Sequence, residues 1–463
     1  MSCSSVDILM INPWIYDFAA YDFWLKPLGF LSIASILREN CFNINFIDCL
    51  DRYHPRMLSR IKRKKLRKNK QHGHGQFFKE KIKKPDRLAS VPRYYSRYGI
   101  HPDIFRDELK KLASPPDAVL ITTTMTYWYP GTYDTIRIVR EIFPKTSIII
   151  GGNYVTLCPD HALHLGADYY IQGNGEKKIL NLLSRITGKT ISYPPDEDNL
   201  DQLPYPAFDL LKERDYICMQ TTRGCPFKCS YCAVNLLSNG IKRLSPARVV
   251  SEIVHWVKCH GVKNIVFYDD ALLFQPEEHI IPILMGTLEK GLKNICFHTP
   301  NGLHARFISK KLADLMFKTG FRTIRLGYET ADPLKQIQTG GKVNTEELEA
   351  ALAFLKEAGF LPADLGVYIL IGLPGQKIKE VEESINKVVK LGGIPILTEF
   401  SPIPDTAIWE ESLHYSNYDL ANDPIFHNNS ILPCQWSGFT WEDYLNIKSQ
   451  TSLIRRDINK KNG

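Results

Sequence analysis

The sequence lacks an uninterrupted apolar run of the length that crosses a membrane, and its N-terminus lacks the basic start and apolar core of a signal peptide. Eleven cysteines among 463 residues are too sparse for a disulfide scaffold and suit a reducing compartment. With 44% hydrophobic and 23% charged residues, the composition is that of a soluble globular protein. We therefore expect a cytoplasmic chain of two or three domains with no membrane span.

The positive charge is confined to one segment. Between Arg52 and Arg87 there are 15 Lys or Arg against 2 Asp or Glu, so the rest of the chain is net negative although the whole chain has a formal net charge of +8. The run over 62–70 has almost no apolar content and no interleaved aromatic residue. We interpret residues 51–116 as an insertion with a solvated basic run, the alternative being a patch for nucleic acid or anionic lipid, and we expect no nucleic-acid partner. The histidines of this segment that we expect to be solvent-exposed are His54, His72 and His74.

In the first part of the chain, apolar runs of strand length alternate with runs of helical period. The predicted strands are 6–11, 44–47, 118–121, 147–150 and 169–171, and the predicted helices are 28–40, 131–143, 160–165 and 176–187. Such alternation predicts an α/β fold with a doubly wound parallel, Rossmann-like sheet over residues 1–190. A polar, proline-stiffened linker follows over residues 191–215.

Ligands of doubly wound sheets bind outside the carboxyl ends of the strands. The predicted strand ends carry polar residues and glycines. Glycine there would let a large ligand approach the backbone closely, and ordinary tight turns are the alternative explanation. The residues that we expect to contact such a ligand are Asn12, Thr123, Gly151, Gly152, Gly173 and Gly175.

Six further strand–helix units are predicted in residues 216–406. Their strands are 216–220, 265–268, 295–297, 324–326, 365–371 and 394–398. Ser245 followed by Pro246 predicts a helix start, and Asn344 with Glu347 predicts a capping box. Residues 407–463 form a small extension with a predicted helix over 441–458.

Three cysteines lie within eight residues after the first of these strands, with the spacing C-x3-C-x2-C: Cys225, Cys229 and Cys232. Thiolates are soft ligands for iron and zinc. A zinc ribbon usually has a second cysteine pair, which this chain lacks. An iron–sulfur cube usually takes four cysteines, so three would leave one iron for a non-protein ligand. A zinc site with a distant fourth ligand, or coincidence, is the alternative.

The segment 222–232, with Arg-Gly before the first cysteine and Tyr231 before the last, resembles the cluster loop of the radical SAM superfamily. The six strand–helix units match the open, partial β/α barrel of that family, which has its active site at the carboxyl ends of the strands. The resemblance implies a 4Fe–4S cluster whose open iron is chelated by S-adenosylmethionine (SAM). It also implies reductive cleavage of SAM to a 5′-deoxyadenosyl radical, with electrons from a donor such as flavodoxin or ferredoxin.

The resemblance further implies roles for residues at the ends of the barrel strands. Two acidic side chains that suit the methionine ammonium end the second strand. A carboxylate that meets the SAM ribose or amine ends the fourth, and an arginine on the same face would bind the SAM carboxylate or the substrate. A glycine after the fifth strand leaves room for adenine, which a tyrosine of the cysteine loop also meets. In this order the residues are Asp269, Asp270, Glu329, Arg325, Gly372 and Tyr231, and each has a structural alternative as a cap, a buried ion pair or a turn.

The layout of residues 5–50 and 117–187 resembles the cobalamin-binding domain that precedes the barrel in one large subclass of that family. The loop after the first strand, 12–17, has no histidine and lacks the D-x-H-x-x-G motif that ligates cobalt. Members without this motif are thought to hold cobalamin without a protein ligand to cobalt. The aromatic run Tyr127, Trp128 and Tyr129 could pack against a corrin face or could belong to the core.

These features lead to three hypotheses. The first is a cobalamin-assisted radical SAM enzyme, for example one that methylates an unactivated carbon of a small molecule or a modified macromolecule. The second keeps the radical chemistry without cobalamin and assigns the N-terminal domain to a substrate or a partner. The third is a non-catalytic module that binds zinc or nucleic acid.

Overall fold

The computed structural model describes residues 6–60 and 71–461, which belong to two compact units. Unit 1 consists of Met1–Arg214 and Asn422–Ile431, and unit 2 consists of Asp215–Ala421 and Leu432–Gly463. Almost all of the predicted linker is therefore part of unit 1, and the predicted extension contributes to both units. The basic run over 62–70 lies outside the described residues. Within the described ranges, no helix combines the length and the apolarity that a bilayer span needs.

The elements of unit 1 alternate between strand and helix. Its strands are β1 (Val6–Asn12), β2 (Ile15–Asp17), β3 (Phe42–Asp48), β4 (Lys79–Lys81), β5 (Ser96–Tyr98), β6 (Ala118–Thr123), β7 (Ser147–Gly152) and β8 (Tyr169–Ile171). Its helices are α1 (Leu28–Glu39), α2 (Pro55–Arg60), α3 (Pro102–Lys110), α4 (Tyr129–Ile142), α5 (Asn153–Leu157), α6 (Pro159–Ala162) and α7 (Glu176–Thr187).

Five of these strands form a parallel sheet in the order β3-β1-β6-β7-β8. The chain fills this sheet in the order 2-1-3-4-5, so its direction reverses between β1 and β6. On one face, Ile8, Met10 and Leu120 of the sheet pack with Leu37 of α1 and Leu183 of α7 in one buried apolar cluster. The predicted α/β fold with a parallel sheet is confirmed.

Part of the predicted insertion is well packed. β5 pairs antiparallel with β2 and with β4, which makes a small three-stranded sheet. The guanidinium of Arg52 donates to the carboxylate of Asp22 at 2.7 Å, and both side chains are buried. The prediction that His54 is solvent-exposed is wrong, because its side chain is buried. His54 directly precedes α2, and its Nε2 lies 3.8 Å from the carboxylate of Glu108 on α3. His72 and His74 are also partly buried.

Unit 2 repeats the strand–helix alternation. Its strands are β9 (Ile217–Met219), β10 (Thr222–Arg223), β11 (Lys242–Arg243), β12 (Asn264–Phe267), β13 (Cys296–His298), β14 (Leu303–His304), β15 (Phe321–Glu329), β16 (Leu365–Ile371) and β17 (Ile394–Glu399). Its helices are α8 (Val234–Leu237), α9 (Pro246–His260), α10 (Ile280–Glu289), α11 (Lys310–Thr319), α12 (Pro333–Gln338), α13 (Thr345–Glu357), α14 (Ile378–Lys390), α15 (Trp409–His414) and α16 (Trp441–Lys461).

The main sheet of unit 2 has the order β9-β12-β13-β15-β16-β17, with β14 attached to β15, and every pair is parallel. The six predicted strands thus occur in sequence order. Among the strands that the structure describes, β9 and β17 do not pair with each other, which is the arrangement of an open, partial barrel. Since all strands are parallel, their carboxyl ends meet at one rim.

Two predicted helix starts are confirmed by their hydrogen bonds. The Ser245 hydroxyl accepts from the backbone N–H of Arg248 at 3.2 Å, and Pro246 occupies the first turn of α9. Asn344 and Glu347 form a reciprocal capping box at the start of α13. Such caps satisfy backbone donors that the first turn of a helix leaves unpaired, so they define where each helix begins.

Glu252 is a carboxylate buried on α9, with Arg248 Nη1 at 3.1 Å. Burial raises the pKa of Glu252 from 4.5 to about 7. The folded chain therefore binds this proton more tightly than the unfolded chain does. It follows that the contribution of Glu252 to the free energy of unfolding is most favourable below about pH 4.5 and declines as the pH rises through about 7.

We expect the stability of the parent, relative to Glu252→Gln, to fall by about 3 kcal/mol between pH 4.5 and pH 7, because each pH unit between the two pKa values corresponds to about 1.4 kcal/mol. Urea unfolding of both proteins at several pH values measures this difference. Below about pH 4 the two stability profiles should run parallel. A stability difference that is the same at every pH would contradict the burial of an ionisable carboxyl on α9.

Candidate cluster and cofactor sites

The three cysteines lie in the loop that follows β9 and β10. The loop begins at Gly224, which has a φ of +83°, and a Cβ added there would clash with the carbonyl oxygen of Gly240. All three cysteines are partly exposed, and the backbone N–H of Cys232 donates to the carbonyl of Cys229 at 3.1 Å. One turn at the carboxyl end of the first barrel strand therefore carries Cys225, Cys229 and Cys232.

A glycine turn after α12 packs against this loop. Gly340 has a φ of +114°, and a Cβ added there would lie 2.7 Å from the Cα of Cys229. The backbone N–H of Ser230 donates to the carbonyl of Thr339 at 3.3 Å. The turn thus has no room for a side chain at position 340, and it fixes the middle of the cysteine loop.

The three thiols share one electrostatic environment. Burial raises the pKa of Cys225, Cys229 and Cys232, and the ammonium group of Lys342 acts in the opposite direction on all three. A cation in this position favours the thiolate, which is the form that binds metal. Sequence reasoning missed Lys342. The available signal was a lysine directly after the pair Gly340 and Gly341, in the connection that follows β15, the strand that ends with Glu329.

Among the described residues, no group of three or more His, Cys, Asp or Glu side chains is arranged to hold a metal ion. A single zinc ion would need thiolate sulfurs about 2.3 Å from one centre. A four-iron cluster is different, because each thiolate binds a separate iron. We therefore treat the cysteine loop as a prospective ligand set for a cluster.

Asp269 and Asp270 follow β12 and have different surroundings. Asp269 is 3% exposed, and its Oδ1 accepts from the Thr221 hydroxyl, the Thr222 N–H and the Thr222 hydroxyl at 2.6, 2.6 and 2.9 Å. Its Oδ2 is buried without a hydrogen-bond partner. Asp270 is partly exposed, and burial, with Asp269 beside it, raises its pKa to about 6. Asp270 is also near enough to Cys232 to raise the pKa of that thiol.

Glu329 and Lys342 form an ion pair at the end of β15. The distance from Nζ to Oε1 is 3.4 Å, and the side chains are 16% and 9% exposed for Lys342 and Glu329. Gly327 leaves space for this lysine, since a Cβ there would overlap its ammonium group. Glu329 has a φ of +68° after a β-bulge, a backbone state that is costly for a residue other than glycine and that occurs at functional sites. Burial, together with the Glu329 carboxylate, raises the pKa of Tyr231.

Arg325 lies deeper along the same strand. It is four positions before Glu329, which corresponds to about 13 Å at the rise of an extended strand. A Cβ added at Gly366 would lie 2.8 Å from Arg325 Nη1. Burial lowers the pKa of the Arg325 guanidinium, and Tyr368 acts in the opposite direction. The structure therefore places Lys342, and not Arg325, beside the cysteine thiols. The predicted contact of Arg325 with SAM or with substrate stays a prediction.

Gly372 and His304 belong to the same rim. Gly372, after β16, has a φ of +89°, and its N–H donates to the Oε1 of the buried Gln376 at 2.8 Å. His304 is buried with its ring stacked on Phe227 of the cysteine loop, at a centroid distance of 4.4 Å. Burial lowers the pKa of His304 to about 3, and its Nδ1 has no hydrogen-bond partner. Neither Gln376 nor His304 was predicted from the sequence.

Unit 1 has a cleft at the carboxyl end of its sheet. It lies over the ends of β1 and β6, where the strand order reverses and where sheets of this kind bind ligands. The lining residues are Asn12, Pro13, Trp14, Ile15, Leu25, Lys26, Pro27, Leu50, Thr122, Thr124, Met125, Trp128 and Thr132.

Asn12 is the one residue of the predicted ligand set that lines this cleft, and its amide donates to Asp48 at 2.8 Å. Thr123 is buried, and its hydroxyl donates to the carbonyl of Gly151 at 2.9 Å. Gly152 has a φ of +113°, and a Cβ there would clash with the carbonyl of Thr123. Contact between the ends of β6 and β7 therefore accounts for glycine at position 152.

The remaining glycines of the predicted set lie outside the cleft lining. The N–H of Gly173 donates to the hydroxyl of Thr156 at 2.9 Å, in a turn with a φ of +67°. Gly175 precedes α7, and a Cβ added there would lie 3.5 Å from Cδ1 of Ile33. Turn geometry accounts for Gly173, and the cofactor contacts of both glycines stay predictions.

The aromatic run after β6 divides between core and cleft. Tyr127 and Tyr129 are buried, whereas Trp128 lines the cleft and donates from Nε1 to Asp17 Oδ2 at 2.7 Å. Asp17 also accepts from the Asn428 amide at 2.9 Å. The segment Asn422–Ile431 thus supports one wall of the cleft in unit 1.

Two family models match the chain. Residues 219–388 match the Radical SAM superfamily, a span that contains the cysteine loop and runs from the end of β9 into α14. Residues 100–183 match the B12 binding domain, which includes β6, β7 and β8. The chain therefore contains a B12-binding domain and, after it in the sequence, a radical SAM domain.

Proteins of several organisms are similar to this chain. An uncharacterized methyltransferase of Pyrococcus horikoshii is 27% identical over 76% of this chain and 80% of its own length. The anaerobic magnesium-protoporphyrin IX monomethyl ester cyclase of Rubrivivax gelatinosus is 24% identical over 61% of this chain, which spans 56% of that enzyme. The solved structure of the radical S-adenosylmethionine methyltransferase TsrM from Kitasatospora setae, with cobalamin and a 4Fe–4S cluster bound, has a TM-score of 0.64 at 14% identity, and the match covers 92% of this chain and 81% of that chain. At this identity the structural likeness concerns the fold alone.

Proposed function

Because the chain contains a radical SAM domain and a B12-binding domain, we propose that it is a cobalamin-assisted radical SAM enzyme that methylates an unactivated carbon atom. The observation that carries this proposal is the presence of two prospective cofactor sites in one chain. Unit 2 has a three-cysteine loop at the end of its first barrel strand, and unit 1 has a cleft where its strand order reverses.

The residues of unit 2 fit a 4Fe–4S cluster with SAM. Cys225, Cys229 and Cys232 would hold three irons and leave the fourth for SAM. When bound, such a cluster supplies the electron that cleaves the sulfonium bond of SAM. The partly buried loop, together with the close contact at Gly340, limits the access of water to the thiolates and holds them in place.

The charged residues of the rim fit the methionine part of SAM. Lys342 is a largely buried cation next to the thiols and suits a carboxylate, whereas Asp270 suits an ammonium group. Asp269 would act differently, because three hydrogen bonds from Thr221 and Thr222 tie its carboxylate to the root of the cysteine loop. We therefore assign Asp270 to ligand binding and Asp269 to positioning of the loop.

The residues of unit 1 fit a bound corrinoid that receives no cobalt ligand from the loop after β1. That loop carries Asn12 and Trp14, and it contains no histidine. The ammonium of Lys26 and the indole of Trp128 line the same cleft. The Lys26 ammonium can pair with an anionic tail of the corrinoid, and the Trp128 indole can pack against its apolar surface. When bound, cobalamin supplies a transferable methyl group.

The assignment of methyl transfer is supported by the names of relatives. The relative from Pyrococcus horikoshii is called a methyltransferase, and the neighbouring structure TsrM is a methyltransferase with tryptophan as its substrate in one complex. The chain spans about half the length of the cyclase relatives, so ring formation by this chain has less support.

The corrinoid cleft can be tested with Thr124→Trp, which fills the space between the loops after β1 and β6. We expect this variant, after anaerobic reconstitution with hydroxocobalamin, to retain less than about a tenth of the parental corrinoid, since a pocket that is filled loses its shape complementarity. Absorption spectra after gel filtration measure retention. The matched control is Leu163→Trp at an exposed position of the same unit, which should retain the corrinoid as the parent does.

Cleavage of SAM should continue in Thr124→Trp, because the substituted residue belongs to unit 1 and the cysteine loop to unit 2. A parent protein that cleaves SAM but never retains stoichiometric corrinoid would refute the cobalamin assignment and favour the second hypothesis. Metal analysis separates the third hypothesis from both, because one zinc without iron or sulfide would identify a zinc module.

A further inference from the structure

A buried histidine extends the hydrogen-bond network at the start of the cysteine loop. His279 directly precedes α10 and is 1% exposed. Its Nε2 lies 2.7 Å from the hydroxyl oxygen of Thr221, which in turn donates to Oδ1 of Asp269 at 2.6 Å. Thr221 is fully buried, so water does not compete for either bond. The start of α10 is thereby connected with the end of β12 and with the segment between β9 and β10.

The order of these bonds determines which group donates in each. The Thr221 hydroxyl has one hydrogen, which it gives to the Asp269 carboxylate, so its oxygen must accept from His279. Burial, with Arg243 nearby, lowers the pKa of His279 to about 4, and the imidazole is therefore neutral at pH 7. A neutral imidazole has a single N–H, which this arrangement assigns to Nε2. The hydrogen bonds thus run from the histidine through the hydroxyl to the carboxylate.

The same carboxylate oxygen anchors the cysteine loop. Oδ1 of Asp269 also accepts from the N–H and the hydroxyl of Thr222, at 2.6 and 2.9 Å, and Thr222 lies three positions before Cys225. Asp270, which we assign to the SAM ammonium, directly follows Asp269 in the chain. Hydrogen bonds in a chain polarise and strengthen one another. Loss of the first donor, His279, therefore weakens the bonds that fix this carboxylate.

Capping of α10 does not account for a histidine at position 279, because its side chain makes no capping hydrogen bond to the helix. An apolar residue at this position would leave the Thr221 oxygen buried without its donor. The contact with Thr221 is therefore the reason that the structure offers for this histidine.

We propose that His279 is a positioning residue of the cysteine loop, which it holds in place through the Thr221 hydroxyl and the Asp269 carboxylate. The position of the loop thiols is a property of the chain itself. The effect on SAM rests on the proposed function, because it assumes that Asp270 binds the methionine ammonium.

The first test measures the reactivity of the loop thiols in the full-length, cluster-free protein. We expect the loop of His279→Leu to be alkylated by iodoacetamide about 3- to 10-fold faster than that of the parent, because a less firmly held loop exposes its thiols more often. Mass spectrometry of the alkylated peptides measures the rates, with the exposed Cys259 as the reference thiol within each protein. The matched control is His164→Leu, at an exposed histidine of unit 1, which should react as the parent does.

Two further variants show whether the hydrogen bond is responsible. His279→Gln has an amide that can donate from nearly the same place as Nε2, so it should recover most of the parental rate. Thr221→Val can neither accept from the imidazole nor donate to Asp269, and it should speed alkylation at least as much as His279→Leu. If His279 acts through Thr221, the double variant His279→Leu, Thr221→Val should react no faster than Thr221→Val alone. Rate increases that multiply in the double variant would contradict the proposal.

A second readout, in the anaerobically reconstituted enzyme, separates positioning from a general loss of structure. His279→Leu should raise the KM for SAM about 3- to 10-fold and leave the kcat of SAM cleavage within about twofold, because Asp270 moves with Asp269. A merely structural role would lower the fraction of active protein, and so the apparent kcat, without a change in KM. Loop thiols that react at the parental rate in His279→Leu, or a parental KM with a reduced kcat, would overturn the proposal. Alkylation requires neither cluster nor SAM, so a parent that fails to cleave SAM would refute the proposed function alone.

Discussion

Alanine in place of Cys225, Cys229 or Cys232 is expected to abolish reductive cleavage of SAM. Each replacement removes one of three thiolates, and no fourth cysteine of the same loop can take its place. Loss of residues that merely support metal ligands costs about 10- to 100-fold in metal affinity or activity, so loss of a ligand should cost more than about 100-fold. The measurements are iron and sulfide content after anaerobic reconstitution, and release of 5′-deoxyadenosine under a chemical reductant.

The matched control for these variants is Cys259→Ala, which removes an exposed thiol at the end of α9 in the same unit. It should retain the iron content and the SAM cleavage of the parent. If a variant with alanine at all three loop positions still released 5′-deoxyadenosine at the parental rate, the radical SAM assignment of this loop would be wrong. Loss of cluster in the control as well would point to general damage by substitution of cysteine.

The second large effect is expected for Lys342→Gln. A hydrogen bond that involves a charged group contributes about 1.5–3 kcal/mol, which corresponds to roughly 10- to 150-fold in affinity. If Lys342 binds the carboxylate of SAM, the variant should raise the KM for SAM by this factor. It should also leave Glu329, which is 9% exposed, without this cation. Direct titration of SAM and initial rates of SAM cleavage measure the effect.

Lys342→Arg should recover part of the affinity, since it restores the charge with a different geometry. The control is Lys448→Gln, which breaks a comparable pair with Glu399 at 2.6 Å at a more exposed position of unit 2. We expect the KM for SAM to be unchanged in that control. A Lys342→Gln variant with parental SAM affinity would show that the lysine serves only to neutralise Glu329.

The features that could be predicted are those that depend on residues close together in the sequence. The cysteine spacing and the strand patterns identified the loop and the two parallel sheets for this reason. Lys342 escaped notice, since a lysine after a glycine pair has no distinctive pattern in the sequence. Only the folded chain shows that Gly327 leaves space for its ammonium group and that Gly340 packs closely on the cysteine loop. The exposure predicted for His54 was wrong because the burial of a histidine depends on which helices cover it.

The order of strands and helices, the capped starts of α9 and α13 and the three clustered thiols follow from the amino-acid sequence without knowledge of the fold. Local propensity, hydrophobic period and ligand spacing are properties of short segments, which explains why these features are predictable. Packing, in contrast, ties Asp269 to the loop through Thr221 and Thr222 and leaves Asp270 near the thiols. Packing also opens the cleft of unit 1 over β1 and β6. Such contacts join residues that are far apart in the chain, and their geometry depends on how each whole unit folds.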